Sequence, residues 1–311
     1  MSKHDKNLYI TIGGVTMIKK YLIALDDGHG METAGKRTPP LESDLYIDGE
    51  LVRKKGSIIH ENEFNRAVVG YLAEALKRCG FDVLLVAPGD SDVPLATRVK
   101  SANDANADAY VSKHYNSIGE QWQTKAKGLV TIIYYNHLQM SKVLATNVHE
   151  ELWQLHKEHG CINYGVRTDM DVSGFSLYVL RNTKMPAILT ESGFMDNMVE
   201  APKMLDQKFQ KADAEATCKG ICKTFGVNYI EPNYNENLEN ADAKYVKVIV
   251  DELNIRSSPS WSDDAIAGIV KKGEVFTVVR KIEVDANPMY ELKSGVYITA
   301  STNYVQVLNK I

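Results

Sequence analysis

Between residues 17 and 228 the chain alternates short apolar runs with stretches of helical period. YLIALDD, FDVLLVA, DAYVSKH, LVTIIYY and MPAILTE are apolar, β-rich runs of strand length. Between them lie segments of different rhythm. In ENEFNRAVVGYLAEALKRCG, Phe64, Val68, Leu72, Ala75, Leu76 and Cys79 recur every three or four residues and Gly80 follows as a stop, which predicts an amphipathic helix. Strand and helix in alternation predict an α/β domain, a mixed sheet covered by helices.

The pattern then changes. Residues 229–243, YIEPNYNENLENADA, are polar and acidic, carry Pro232 and have no apolar period, so they read as a linker. Beyond it, YVKVIVDELNIRSSPSW, IAGIVKKGEVFTVVRKI and VYITASTNYVQVL are short strands separated by Ser-Pro, Lys-Gly and Ser-Gly turns, which predicts a small all-β barrel over 244–311. Residues 1–16 precede Met17, where the α/β pattern begins, and read as an N-terminal extension.

Composition narrows the function classes. Of 311 residues, 36 are basic and 40 acidic, so the net charge of -4 offers no field for a nucleic acid or an anionic lipid. Apolar runs are too short to insert in a membrane, and the first residues lack a secretory pattern, so cytosolic synthesis is expected. Cys79, Cys161, Cys218 and Cys222 are too few and scattered for a disulfide framework and are expected to be reduced and structural.

Candidate chemistry collects at the ends of the apolar runs. His29 lies in DDGHG directly after YLIAL, where an open α/β sheet forms its ligand crevice. Gly28 and Gly30 are expected to turn the backbone sharply and bare the imidazole. His114 ends DAYVSKH, and Glu61 opens the amphipathic helix. Two imidazoles and one carboxylate are a recognised three-ligand set for catalytic zinc, which keeps a fourth position for water. Glu191 ends MPAILTE and is placed to act as general base. Each residue has a plainer reading: a histidine at a strand end is commonly hydrogen-bonded scaffolding, and a glutamate at a helix start favours the dipole.

Other patterns lead nowhere. VHEELWQLHKEHG fails the HExxH metalloprotease pattern because Trp153 stands where the second histidine is required. His156 and His159 are expected to be solvated helix positions. Ser192 lacks a GxSxG elbow, which disfavours a serine hydrolase. Lys271 and Lys272 before Gly273 read as a turn.

Four motifs in order carry a resemblance: ALDDGHG around His29, ENEFN from Glu61 to Asn65, RVKSANDANADAYVSKHYNS leading to His114, and YVLRNTKMPAILTESGFMDN around Glu191. Residues 17–228 resemble the zinc-dependent N-acetylmuramoyl-L-alanine amidases of type 3, found in autolysins and phage endolysins. The resemblance implies that His29, Glu61 and His114 hold zinc and that Glu191 is the catalytic glutamate. Two features depart from the bacterial enzymes. The segment between GHG and Glu61 is longer, with AGKRTPP similar to phage lysins, and Lys113 replaces the small apolar residue common before the second histidine. LNIRSSPS and KKGEVFTV make 244–311 similar to a bacterial SH3-like cell-wall-binding domain.

The implied activity is hydrolysis of the amide between the lactyl group of muramic acid and L-alanine in peptidoglycan, with the barrel tethering the catalytic domain to the wall. Peptidoglycan is the expected partner of both parts; the oligomeric state is left open. A bacterial autolysin of the same activity, a zinc peptidase on the stem peptide and a non-catalytic wall-binding protein remain alternatives.

Overall fold

The computed structural model describes residues 9–12, 15–18, 20–157, 160–232, 245–284 and 287–308. Most of the expected linker and His159 lie outside them, as does much of the expected extension. Within the extension, strand Tyr9–Ile12 pairs antiparallel with Val15–Ile18, crossing the expected boundary at Met17. The chain divides into two compact units, Met1–Ile230 and Glu231–Ile311.

The first unit is built on a six-stranded mixed sheet. In chain order its elements are β1 (Leu22–Asp27), α1 (Glu61–Arg78), β2 (Asp82–Leu85), α2 (Leu95–Asp104), β3 (Ala109–Asn116), β4 (Gly128–Ile133), α3 (Gln139–Lys157), β5 (Ile162–Thr168), β6 (Ala187–Phe194) and α4 (Gln207–Phe225). The strands lie in the order β2-β1-β3-β6-β4-β5. Neighbours are parallel except β6 and β4, so β4 and β5 run against the rest.

Both faces of the four central strands are buried, which explains why their sequences are continuously apolar rather than alternating. Along β1, Ile23 and Leu25 enter one core with Phe64, Val68, Leu72 and Leu76 of α1, while Ala24 faces a second core with Val99 of α2. Each fully buried Leu, Val or Phe of that α1 stripe contributes roughly 1.5–3 kcal/mol. Cys79, Cys218 and Cys222 are buried in the first core with their sulfurs within 4.8 Å of one another, and Cys161 is only partly buried.

The second unit is all-β. Its strands are β7 (Tyr245–Val248), β8 (Glu252–Arg256), β9 (Ile266–Lys271), β10 (Val275–Ile282), β11 (Met289–Leu292), β12 (Tyr297–Thr299) and β13 (Val305–Leu308). They pair antiparallel in the order β9-β8-β12-β11-β10-β7-β13. The described pairings leave β9 and β13 at opposite ends of this order and do not close a barrel. Val246, Val248, Val278, Tyr290 and Ile298 form its own core. Gly273, at φ 95°, makes the turn between β9 and β10 expected after Lys271 and Lys272.

Candidate metal centre

Parallel packing of β1, β3 and β6 places their carboxyl ends side by side, where the ligand crevice of such a sheet forms. His29 lies two residues beyond β1, His114 is near the end of β3, and Glu191 is in register with His114 on β6. Glu61 opens α1, with Lys36 O accepting from its backbone N–H at 2.9 Å.

Ligand atoms of His29, Glu61 and His114 come within 4.8 Å of one another. Glu61 Oε1 lies 2.9 Å from His114 Nδ1 and accepts from Tyr115 N–H at 3.2 Å. Its other oxygen, Oε2, faces His29 Nε2 at 3.5 Å and Lys36 Nζ at 3.8 Å. The two imidazoles meet edge to face with centroids 4.9 Å apart. Both His29 Nε2 and Glu61 Oε2 are buried atoms without a hydrogen-bond partner, and so is Glu191 Oε2. Buried polar atoms are normally paired, so these converging atoms without a hydrogen-bond partner fit a cation-binding set.

The electrostatics agree with that donor set. Burial lowers the His29 pKa to about 4, against the opposing pull of Glu61, so this imidazole stays neutral. Burial alone would raise Glu61, but the His114 hydrogen bond and both imidazoles hold it down at about 2, an ionised ligand. His114 is raised, because the Glu61 contact overcomes its desolvation. Burial, with the Glu61 charge adding to it, pushes Glu191 up to about 7, the range suited to a general base.

The glycines of DDGHG act differently from the sequence expectation. The left-handed residue is His29 itself, at φ 65°, whereas Gly28 and Gly30 have no positive φ. They are needed for space: a Cβ on Gly28 would stand 2.1 Å from His114 Cε1, and one on Gly30 would stand 2.3 Å from the backbone nitrogen of Asp92. Glycine at 28 lets the second imidazole lie against the loop that carries the first.

Several site residues had no role in the sequence reading. Asn62 Nδ2 lies 3.1–3.3 Å from the carbonyls of Asp27, Gly28 and His29, and Asn65 Nδ2 donates to Gly28 O at 3.0 Å. Helix α1 therefore carries one candidate ligand and clamps the loop bearing another. The available signal was Glu61 and Asn65 continuing the apolar stripe of Phe64, Val68 and Leu72: polar residues on a buried face.

The remaining motifs have structural employment. His149 is buried, with Nδ1 3.0 Å from Thr131 Oγ1 and Nε2 2.8 Å from Asn163 Oδ1. His156 is fully buried rather than solvated, because α3 packs it against α4, where Nε2 is 3.8 Å from Asp213 Oδ2. Asp213 also takes the buried Lys113 ammonium at 2.7 Å. Lys113 thus points to the sheet face opposite His114 and lies 3.5 Å from the buried Ser192 hydroxyl.

The first unit also matches known proteins. The sequence profile of the N-acetylmuramoyl-L-alanine amidase family matches residues 23–223. The endolysin of Bacillus phage SPP1 is 29% identical, the alignment covering 93% of this chain and 99% of that one, so the likeness extends beyond 23–223. Among solved structures, an N-acetylmuramoyl-L-alanine amidase from Clostridium difficile 630 superimposes with a TM-score of 0.54 at 25% identity, over 67% of this chain and 97% of the other. The amidase AmiC2 of Nostoc punctiforme gives 0.52 at 28% identity, over 67% and 98%. By the match of its first unit, the chain belongs to the N-acetylmuramoyl-L-alanine amidase family.

Proposed function

We propose that this chain is an endolysin-type hydrolase in which His29, Glu61 and His114 hold zinc and Glu191 is the general base. The reaction is that of a peptidoglycan amidase, cleavage of the amide between N-acetylmuramic acid and L-alanine. The observation that supports the metal reading is the pair of buried, unpartnered atoms, His29 Nε2 and Glu61 Oε2, facing each other beside His114. Zinc, when bound, supplies a Lewis acid that polarises the scissile carbonyl and lowers the pKa of water.

The chain's own residues do the rest. Glu191 takes the proton of the attacking water and delivers it to the leaving alanine nitrogen, which a carboxylate titrating near 7 can do in both directions. His29 and His114 stay in place through the Asn62 and Asn65 clamps and the close contact at Gly28. A free carboxylate beside three ligands favours catalysis over the structural-zinc alternative, which would use a fourth protein ligand.

The second unit is proposed to be an SH3-like wall-binding domain. A groove of about 580 Å³ lined by Arg256, Trp261, Ile269, Pro288 and Tyr304, with the Arg256 guanidinium 5.4 Å from the Trp261 ring centroid, offers mixed apolar and polar contacts for a wall segment. Tethering would raise the effective concentration of the amidase on an insoluble substrate.

Chelation tests the metal assignment. Activity should vanish with a chelator and return with zinc, and His29→Ala or His114→Ala should each lose the ion. Full zinc stoichiometry with activity in either variant removes that residue from the ligand set.

A further inference from the structure

We propose that Arg98, Asp26 and Ser112 form one buried relay that positions both imidazoles and fixes which nitrogen of His114 faces the metal. The inference rests on the zinc reading above and adds residues that touch neither metal nor substrate.

The relay starts at His114, whose ring nitrogens face opposite ways. Nδ1 is 2.9 Å from Glu61 Oε1, and Nε2 is 3.1 Å from Ser112 Oγ. Ser112 is two residues earlier on β3, so its side chain shares the face of His114. Its hydroxyl donates to Asp26 Oδ2 at 2.7 Å, which uses its single proton and leaves its oxygen as acceptor. His114 is therefore the donor to Ser112. Nε2 therefore keeps a proton, while Nδ1, which donates to the ionised Glu61 carboxylate when no cation is present, is the nitrogen that can give up its proton to hold one.

Arg98 joins this line to the other imidazole. It is fully buried, and its five N–H donors meet five acceptors. Nη1 donates to Asp26 Oδ1 at 2.6 Å and to Asp27 O at 3.2 Å; Nη2 donates to His29 O at 3.1 Å and Asp92 Oδ1 at 2.8 Å; Nε donates to Val93 O at 2.7 Å. One guanidinium thus compensates the carboxylate that orients Ser112 and pins the carbonyl of His29, the residue held at φ 65°. A lysine has three donors on a single nitrogen and cannot span these acceptors. Hydrogen-bond partners behind metal ligands typically contribute about 10- to 100-fold in affinity.

The test combines zinc affinity, by chelator competition, with ¹⁵N NMR of the His114 ring. Ser112→Ala and Arg98→Lys should weaken zinc by about 10- to 100-fold, and Ser112→Thr, which restores the hydroxyl, should return affinity to near wild type. Thr131→Val, which removes a buried hydroxyl beside His149, serves as control: it should lower the melting temperature and leave zinc affinity unchanged. In the zinc-loaded wild type the proton should reside on Nε2 of His114. Wild-type affinity in folded Ser112→Ala, or an unprotonated Nε2 on His114 in the zinc-loaded wild type, overturns the relay. If the wild type binds no zinc at all, the metal reading fails, and an unprotonated Nε2 on His114 in the metal-free protein still overturns the relay. The same wild-type spectrum decides it where a variant does not fold.

Discussion

Glu61 is buried and faces both imidazoles, whereas Glu191 is partly buried and lies in register with His114, so the two carboxylates are proposed to do different work. Glu61 faces both rings and is held ionised, so Glu61→Gln should lose zinc and activity together. Glu191→Gln should keep zinc and wall binding while turnover falls by about a hundred- to ten-thousand-fold, a loss that added zinc does not restore. Near-normal turnover in zinc-loaded Glu191→Gln removes it as base. Because a base works ionised and burial raises Glu191 to about 7, turnover should climb with pH along a limb at or below that value, lower when a cation is near, and the limb should vanish in Glu191→Gln. Gly28→Ala should displace the His114 ring and weaken zinc binding, measured by the same competition, since a Cβ there would stand 2.1 Å from Cε1 and its three nearest atoms all belong to that ring. At this scale the sequence identified residues whose type is unusual at a strand end, such as His29 and His114. It did not identify Asn62, Asn65 or Arg98, because their acceptors are carbonyls and carboxylates remote in sequence.

Among the elements, the sheet keeps the site rigid from below. Strand β3 carries His114 on one face and Lys113 on the other, and the Lys113–Asp213 pair fastens that strand to α4. Lys113→Met would leave Asp213 buried without its partner and should destabilise by about 3–5 kcal/mol in denaturant unfolding, with much of it recovered by adding Asp213→Leu. Burial alone would raise Asp213, but Lys113 and then His156 hold it at about 2, below its ordinary 3.8. Its contribution is therefore present above pH 3.8 and lost as pH falls toward 2, on the order of 2 kcal/mol. An acid-unfolding curve unchanged in Asp213→Asn contradicts this. Strands β1, β3, β4 and β6 were legible as apolar runs because a doubly covered sheet requires them, and β2, at the partly exposed edge, from the run FDVLLVA. Strand β5 was not: INYGVRT lies at the sheet edge, half exposed and interrupted by Gly165, so neither alternation nor an apolar run marks it.

For the whole molecule, the two units have cores that share no residue. The all-β character of the second unit was readable from its turn residues; its strand order was not, since pairing of β12 with β8 and of β7 with β13 joins segments far apart in sequence. Cleavage within residues 233–243 should release a first unit that folds and hydrolyses soluble muropeptide, with lysis of whole cells weakened more than soluble turnover. An insoluble or inert fragment with zinc present contradicts independent units. The central claim is that these residues assemble a zinc amidase acting on the muramoyl–alanine bond. Its most direct test is mass spectrometry of purified peptidoglycan digested by the chain containing one zinc, beside the same chain stripped of metal. The zinc form should release intact stem peptides with new amino termini on L-alanine, and the stripped form should release none. Cleavage inside the stem peptide, or equal release by the stripped form, contradicts it.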